Sequence, residues 1–326
     1  MTKDEGSATK DEAGLALGTF MTASAPPVHA SDALSRLLSC AGETDPALTE
    51  SKLRAFRRFL LLYAATRSAL WIPFLDREPG GFIAAALWLA LCAALAFRPE
   101  TEHWAPRLAL PALALQLFLT FPLTDNHFYL EVLALCVVSL AARGRPEDDA
   151  LVLQGLHWLC AIVLFQTGLQ KLLYGHYLTG DFLAFMVAAQ DRFGDLFGLL
   201  LSADTVATLR SHEVFRTGGG PFRVDSLALR VASNAVWIAE LVLPGLLLWR
   251  RTRTAAMWAA LALVVGIQTG AREFGFMILF SNLLLLFAPG NWNGRILPVL
   301  AVVFVLAILL VFGLTPIENF LDAGSL

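Results

Sequence analysis

From Leu53 onward the chain alternates apolar runs with short polar punctuation. The pattern predicts membrane-spanning helices near 55–75, 81–97, 106–122, 127–142, 151–172, 228–249, 255–271, 273–288 and 295–313. Several are shorter than the usual ~20 residues of a spanning helix, so their ends are soft and some belong inside a bundle. The expected fold class is all-α, a polytopic membrane helical bundle of about nine transmembrane helices. Residues 51–314 form this transmembrane domain, and 315–326 read as a short tail.

Composition agrees with that pattern. Of 326 residues, 57% are hydrophobic and only 16% are charged, too apolar for an ordinary soluble domain. Residues 1–50 differ, being rich in Ala, Ser, Thr and acids. Met1–Pro27 has neither the basic start nor the apolar stretch of a signal peptide. They read as a mostly disordered cytoplasmic leader, with a short helix near Asp32–Leu38. The formal net charge of -3 leaves no basic face for nucleic acid. Cys40, Cys92, Cys136 and Cys160 are widely spaced without a CxxC pair, so they suit packing rather than disulfides or zinc.

Basic residues in the short loops set the expected orientation. With a cytoplasmic N-terminus, the inside segments carry Lys52, Arg54, Arg57 and Arg58, then Arg98 and Arg107, Arg143 and Arg145, Arg250, Arg251 and Arg253, and Arg295. The short outside loops hold only Arg77 and Arg272. Nine spans then put the C-terminus outside, in the plasma or inner membrane of the cell. Residues 173–227 form one long outside connection. Within it Asp181–Leu201 is apolar but interrupted by Asp191, Arg192, Gly194 and Asp195, which suits an interfacial or re-entrant helix. The Gly218–Pro221 stretch marks a turn, and the whole connection is a candidate lid or wall.

Ionisable residues at membrane depth carry the candidate chemistry. A lysine there costs roughly 2.5–3.5 kcal/mol at a helix centre on insertion scales, so it either snorkels or has a role. Lys171 ends the apolar run from Ala161, with Gly168 three residues before it on the same helix face. Gly168 would admit a neighbouring backbone or a ligand. Asn126 and His127 open the fourth span on the same side as Lys171, with Asp125 and Asn126 as capping residues. Glu240 lies within the sixth span and must be neutral, paired or water-lined, with Arg67 a candidate partner. Asn234 and Trp237 share its helical spacing, and Pro244 follows one turn on. Arg272 and Glu273 open the eighth span and are candidates for the same site. Gln116, Gln154, His157, Gln166, Gln268 and Asn282 read as interhelical hydrogen-bonding residues. No nucleotide-loop, hydrolase or metalloprotease motif is present, and no His and acid cluster has metal spacing, so no metal is predicted. The bland alternatives stay open: a snorkelling Lys171, a capped helix with an interfacial His127–Tyr129 belt, and a structural ion pair at Glu240.

These motifs resemble the HTTM family, the membrane domain shared with vitamin K-dependent gamma-carboxylase. Asn126-His127 followed by Tyr129-Leu130 is similar to its Asn-His-x-Tyr-Leu helix start. Gly168 through Leu172, then Tyr177 and Gly180-Asp181, is similar to its Gly-x-x-Lys-Leu motif. Glu240 and the basic turn after it also fit, as does Phe274-Gly275-Phe276 more weakly, and the resemblance covers about residues 52–313. It implies Lys171 as a base that deprotonates reduced vitamin K or another lipophilic quinol. His127 and Asn126 would assist, and Gly168, Glu240, Tyr177 and Arg272 would line the pocket. In the carboxylases, oxygen then turns the quinol into a strong base that takes a γ-proton from a peptide glutamate, and carbon dioxide adds. Burial serves such a lysine by disfavouring its charged form, and a dry membrane site shields the base. The chain departs from the carboxylases at 141–149, which holds no histidine where they carry a second His motif, and only 315–326 follow the last span where they carry a docking domain.

Two readings follow. In one, the chain is a quinol-dependent carboxylase-like lyase or oxidoreductase acting on a small peptide or protein. In the other, it is a non-catalytic membrane factor for maturation, immunity or export of a secreted peptide. Transport ranks third, because no charged line crosses the membrane and inverted halves are not evident. Membrane lipid is a partner in each reading.

Overall fold

A computed structural model describes residues 45–74, 80–121, 126–140, 146–211 and 226–312, and all regular structure among them is helical. The elements are α1 (Pro46–Trp71), α2 (Gly80–Leu95), α3 (Ala105–Thr120), α4 (Asn126–Leu140) and α5 (Pro146–Tyr174). Four short helices follow: α6 (His176–Thr179), α7 (Asp181–Ala189), α8 (Asp191–Phe197) and α9 (Ala203–Arg210). The chain ends with α10 (Leu227–Leu248), α11 (Arg253–Ala271), α12 (Phe274–Leu285) and α13 (Trp292–Val311). The leader up to residue 44, including the helix expected near Asp32–Leu38, lies outside the described residues, as do the 218–221 turn and the tail.

Each of the nine predicted stretches holds a helix; length and apolarity divide eight of them, and α1 belongs to neither group. Glu147–Tyr174, Leu227–Leu248, Arg253–Ala271 and Trp292–Val311 are long and apolar enough to cross a membrane. Gly80–Leu95, Ala105–Thr120, His127–Leu140 and Phe274–Leu285 are apolar and shorter. The last spans only about 18 Å at 1.5 Å per residue. It compensates by burial: Leu279, Phe280 and the whole run Asn282–Leu285 are covered.

Helix α1 begins earlier than its apolar run because Asp45 caps it and Pro46 supplies the first-turn backbone angle. The Asp45 carboxylate accepts from the Ala47 and Leu48 amides at 3.0 and 3.3 Å. The stripe Leu53, Phe56, Phe59, Leu60, Tyr63 and Ala64 then runs through the core, against α2, α5 and α13. At its start Lys52 is buried and its Nζ donates to the Leu286 and Ala288 carbonyls at 3.2 and 2.6 Å. Those are carbonyls just past the end of α12, so a cation there closes the helix. Arg57 and Asp149 form a buried pair at 2.6 Å that ties α1 to α5.

The outer surface is apolar where a soluble protein would be polar. Phe118 is 78% exposed, Leu140 75% and Leu87 67%. Charged side chains Lys52, Arg57, Arg67, Glu131, Asp149 and Glu240 are buried instead. Exposed apolar belts around buried, paired polar groups are the arrangement a lipid solvent favours. The fold is therefore consistent with a membrane protein.

The expected single helix over Asp181–Leu201 is broken. Gln190 adopts an extended conformation (φ −138°, ψ 122°), separating α7 from α8. In one straight helix Leu183 and Phe197 would lie about 21 Å apart. The break folds them into one small core with Ala184, Val187, Phe193, Leu201, Leu209 and Leu229.

Candidate functional site

The site is built where α5 crosses α10. Gly168 makes the crossing close: a methyl group there would sit 2.9 Å from the Glu240 Cβ and 3.0 Å from the Leu241 amide nitrogen. Only glycine permits that backbone approach. Lys171, one turn on, is thereby brought beside Glu240, and its Nζ donates to the Glu240 Oε1. The side chains are 20% and 5% exposed, so the amine marks the open end and the carboxylate the closed one.

Helix α6 covers the pair. Glycines 175 and 180, at φ 73° and 83°, allow the left-handed turns that bound it. Tyr177 on α6 places its ring 5.4 Å from Lys171 Nζ, a cation–π distance, and stacks on Phe182 at 4.6 Å. Burial, and secondarily the Glu240 charge, push the Tyr177 phenol up, so it stays protonated and neutral. Asn234 fixes α6 to α10 by donating to the Leu178 carbonyl at 3.1 Å. Its own carbonyl accepts from Trp237 Nε1 at 2.9 Å. Asn234, Trp237 and Glu240 thus act from one helix on one neighbourhood, as their spacing suggested.

One atom of this site is unspent. Glu240 Oε2 is buried and has no hydrogen-bond partner among the described residues. A buried carboxylate oxygen without a donor is costly, by about 1–3 kcal/mol or more. The donor it calls for is a hydroxyl or N–H group.

The proposed partnership of Glu240 with Arg67 is not what the structure holds. Glu240 pairs with Lys171, and Arg67 pairs with Glu131 at 2.5 Å. The α5–α10 crossing at Gly168 decides the first pairing, and α1 packing on α4 decides the second. Arg67 also donates to Gln116 Oε1 at 3.1 Å and lies 3.8 Å from the Phe128 ring centroid. Glu131 is the functional-looking residue that sequence reasoning missed, and the signal was plain: it is the sole acid within the apolar α4.

The remaining candidates have neighbours of their own. His127 lies against Gly275, where an added Cβ would stand 3.6 Å from His127 Nε2 and 3.1 Å from the Tyr63 hydroxyl. That places it with α1 and α12. Asn126 begins α4, but its side chain is outside the described residues. Arg272 is exposed and closes α11 in the left-handed conformation (φ 56°). The next amide, on Glu273, donates to Gln268 Oε1 at 2.7 Å. So Lys171, Glu240, Gly168 and Tyr177 form one unit, while His127 lies against α1 and α12 and Arg272 closes α11. Among the weaker candidates, His157 stacks on Phe287 at 4.1 Å, Asn282 accepts from Asn293 at 2.8 Å, and Gln166 is exposed. Among the described residues no group of three or more His, Cys, Asp or Glu could hold a metal.

No family model matches this chain, and neither a curated protein nor a solved structure matches it.

Proposed function

We propose that the chain is a multi-pass membrane protein of the HTTM type, with about nine spans, a cytoplasmic N-terminus and an outside C-terminus. In this reading the Lys171–Glu240 pair forms the heart of a site for a lipophilic hydroquinone, reduced vitamin K or a relative, and removes its hydroxyl proton. The carrying observation is the meeting of amine and carboxylate inside an apolar helix crossing, with the second carboxylate oxygen left without a donor. Such a site fits a hydroquinone: it offers an acceptor for a hydroxyl, a cation, and the faces of Tyr177 and Phe182 nearby. The bound hydroquinone would supply the reducing chemistry of a carboxylase-like lyase or oxidoreductase. Lys171 and Glu240 would bind and deprotonate, Tyr177 would cover the amine, and the surrounding helices would exclude water. His127 would assist from the start of α4, where it lies against Gly275.

The test uses purified protein in lipid nanodiscs with reduced menaquinone or vitamin K. Quinol oxidation, epoxidation or carbon dioxide incorporation should be lost in Lys171→Ala. Absence of quinone binding, together with normal cellular function of Lys171→Ala, would defeat the reading.

A second reading draws on a different observation. Lys171 already has an ionic partner, and α7–α9 form their own small core beside α10. Both suit a non-catalytic membrane factor that receives a secreted peptide on the 181–225 segment. Lys171→Arg or Lys171→Gln would then be silent, and changes in 181–225 would govern the phenotype. A small secreted peptide encoded beside this gene would favour it.

A further inference from the structure

The arginines at the end of the bundle where α1 begins fall into two groups. Contacts define that end. Lys52 bonds the carbonyls after α12, Asn291 donates to the Ser51 carbonyl at 3.1 Å, and Trp258 of α11 meets Trp292 of α13 edge-on at 5.9 Å. On the α1 side the arginines have acids of their own. Arg54 bonds Glu50 and Glu102, Arg58 bonds Glu102, and Arg57 bonds Asp149. The α10–α13 side is different. Arg250, Arg251, Arg253 and Arg295 lie in two stretches, 241–271 and 274–312, that contain no Asp or Glu. Arg251, in the turn between α10 and α11, and Arg295 on α13 are both exposed. The Arg295 guanidinium lies 5.3 Å from the Trp292 ring centroid.

Arg295 also heads a stripe. Arg295, Val299, Val302 and Leu306 recur at helical spacing and are all exposed. Helix α13 has 20 residues, about 30 Å of helix, which matches the hydrocarbon thickness of a bilayer. Arg295 therefore sits about 4.5 Å in from the helix start, where acyl chains meet headgroups. A cation facing lipid at that depth calls for an anion. On α11 Trp258, Ala262 and Val265 form a second exposed stripe. The Trp258–Trp292 contact joins the head of that stripe to the ring beside Arg295.

The geometry points to a binding site for an anionic phospholipid on the α11–α13 face. Arg295 takes the phosphate, Arg251 adds positive charge at the rim, and an acyl chain lies along Val299, Val302 and Leu306. A guanidinium fork matches phosphate oxygens. The apolar stripe below it fits a lipid and offers nothing to a free phosphate ion. A zwitterionic headgroup is disfavoured, because its ammonium would meet arginines and no acid from either stretch. The lipid site is separate from the Lys171–Glu240 pair: Glu240 lies about 12 Å along α10 before its end at Leu248. Neither reading depends on the other.

The test titrates the full chain in detergent with dioleoyl phosphatidylglycerol or dioleoyl phosphatidylcholine, read by native mass spectrometry. One arginine at a membrane surface contributes about 1 kcal/mol toward anionic lipid, which is about fivefold in affinity. Wild type should therefore prefer phosphatidylglycerol by about fivefold or more. Arg295→Gln should lose about that factor, and Arg295→Lys should keep most of it. Arg295→Gln combined with Arg251→Gln should abolish the preference. Arg54→Gln should change it by less than about twofold, because that charge is already met by Glu50 and Glu102. Equal affinity of wild type for the two lipids overturns the site, as does a preference that survives the double change. A loss in Arg54→Gln as large as in Arg295→Gln overturns it too, since the effect would then belong to the whole end of the bundle. Excess inorganic phosphate should leave the lipid bound; displacement would make this an ion site and overturn the assignment to lipid. Should the double variant not purify as a monodisperse particle, Arg251→Gln decides alone: a several-fold loss of preference supports the site, and an unchanged preference overturns it.

Discussion

Arg67 on α1 and Glu131 on α4 form a buried ion pair at 2.5 Å, with neither side chain more than 9% exposed. The pair is extended by Gln116 of α3, whose Oε1 accepts from Arg67 at 3.1 Å and from the Ser68 hydroxyl at 2.9 Å. The Phe128 ring covers the guanidinium face. The network ties three helices, α1, α3 and α4, in one register. Removing one partner of such a pair leaves an uncompensated buried charge, which costs about 3–5 kcal/mol, while replacing both with apolar residues is often neutral.

Glu131→Leu should therefore lower stability by about 3–5 kcal/mol. The double change Arg67→Met with Glu131→Leu should recover most of that loss. Reversible denaturation in mixed micelles, read as a double-mutant cycle, measures both. A single variant within about 1 kcal/mol of wild type would mean that water reaches Arg67 and the pair is not buried in solution.

At the other end of α1, Lys52 bonds the Leu286 and Ala288 carbonyls. Lys52→Met keeps the apolar stem and removes the donors. It should cost about 1–3 kcal/mol, the penalty of leaving buried acceptors without a donor. Arg54→Ala is the contrast. Arg54 is 43% exposed and bridges Glu50 and Glu102, so its loss should cost under about 1 kcal/mol. Equal effects from the two changes would sink the distinction.

The helices were legible because apolar runs of this length have few other homes. Their ends were less so. The α1 start depends on Asp45 and Pro46, which precede the apolar run and looked like leader. The break at Gln190 carries no glycine or proline, since closure of the α7–α9 core imposes it. Site residues followed the same division. Gly168 and Lys171 could be joined from their spacing on one helix. The Lys171–Glu240 contact could not, because 69 residues separate them and only the crossing of α5 on α10 unites them. Arg67 was named a candidate partner of Glu240 and not of Glu131 for the same reason: both acids lie in apolar helices, and spacing does not choose between them.

Gly168 and Gly245 offer a direct test of the crossing. Both lie in apolar helices, yet a Cβ at Gly245 would meet nothing within 4 Å, while one at Gly168 would press on the α10 backbone. Gly245→Ala should be neutral or stabilise by up to about 1 kcal/mol through helix propensity. Gly168→Ala should destabilise by about 1–3 kcal/mol, the usual result of overpacking. It should also part Lys171 from Glu240, which faster acylation of the Lys171 amine in nanodiscs would report. Matching behaviour of the two alanine variants would show that α5 and α10 are not closely packed.

Tyr177 supplies the last prediction, and it separates ring from hydroxyl. The ring faces Lys171 Nζ at 5.4 Å. Tyr177→Phe keeps the ring, so Lys171 should react with an amine-acylating reagent in nanodiscs at close to the wild-type rate. Tyr177→Leu removes the aromatic face, a contribution of about 0.5–2 kcal/mol between exposed and desolvated limits. The labelling rate should then rise by about twofold to thirtyfold, the factor those energies correspond to. Glu240→Gln should raise it further, because the amine loses its ionic partner. Faster labelling in Tyr177→Phe than in Tyr177→Leu would instead place the protecting contact at the hydroxyl and remove the ring from the site.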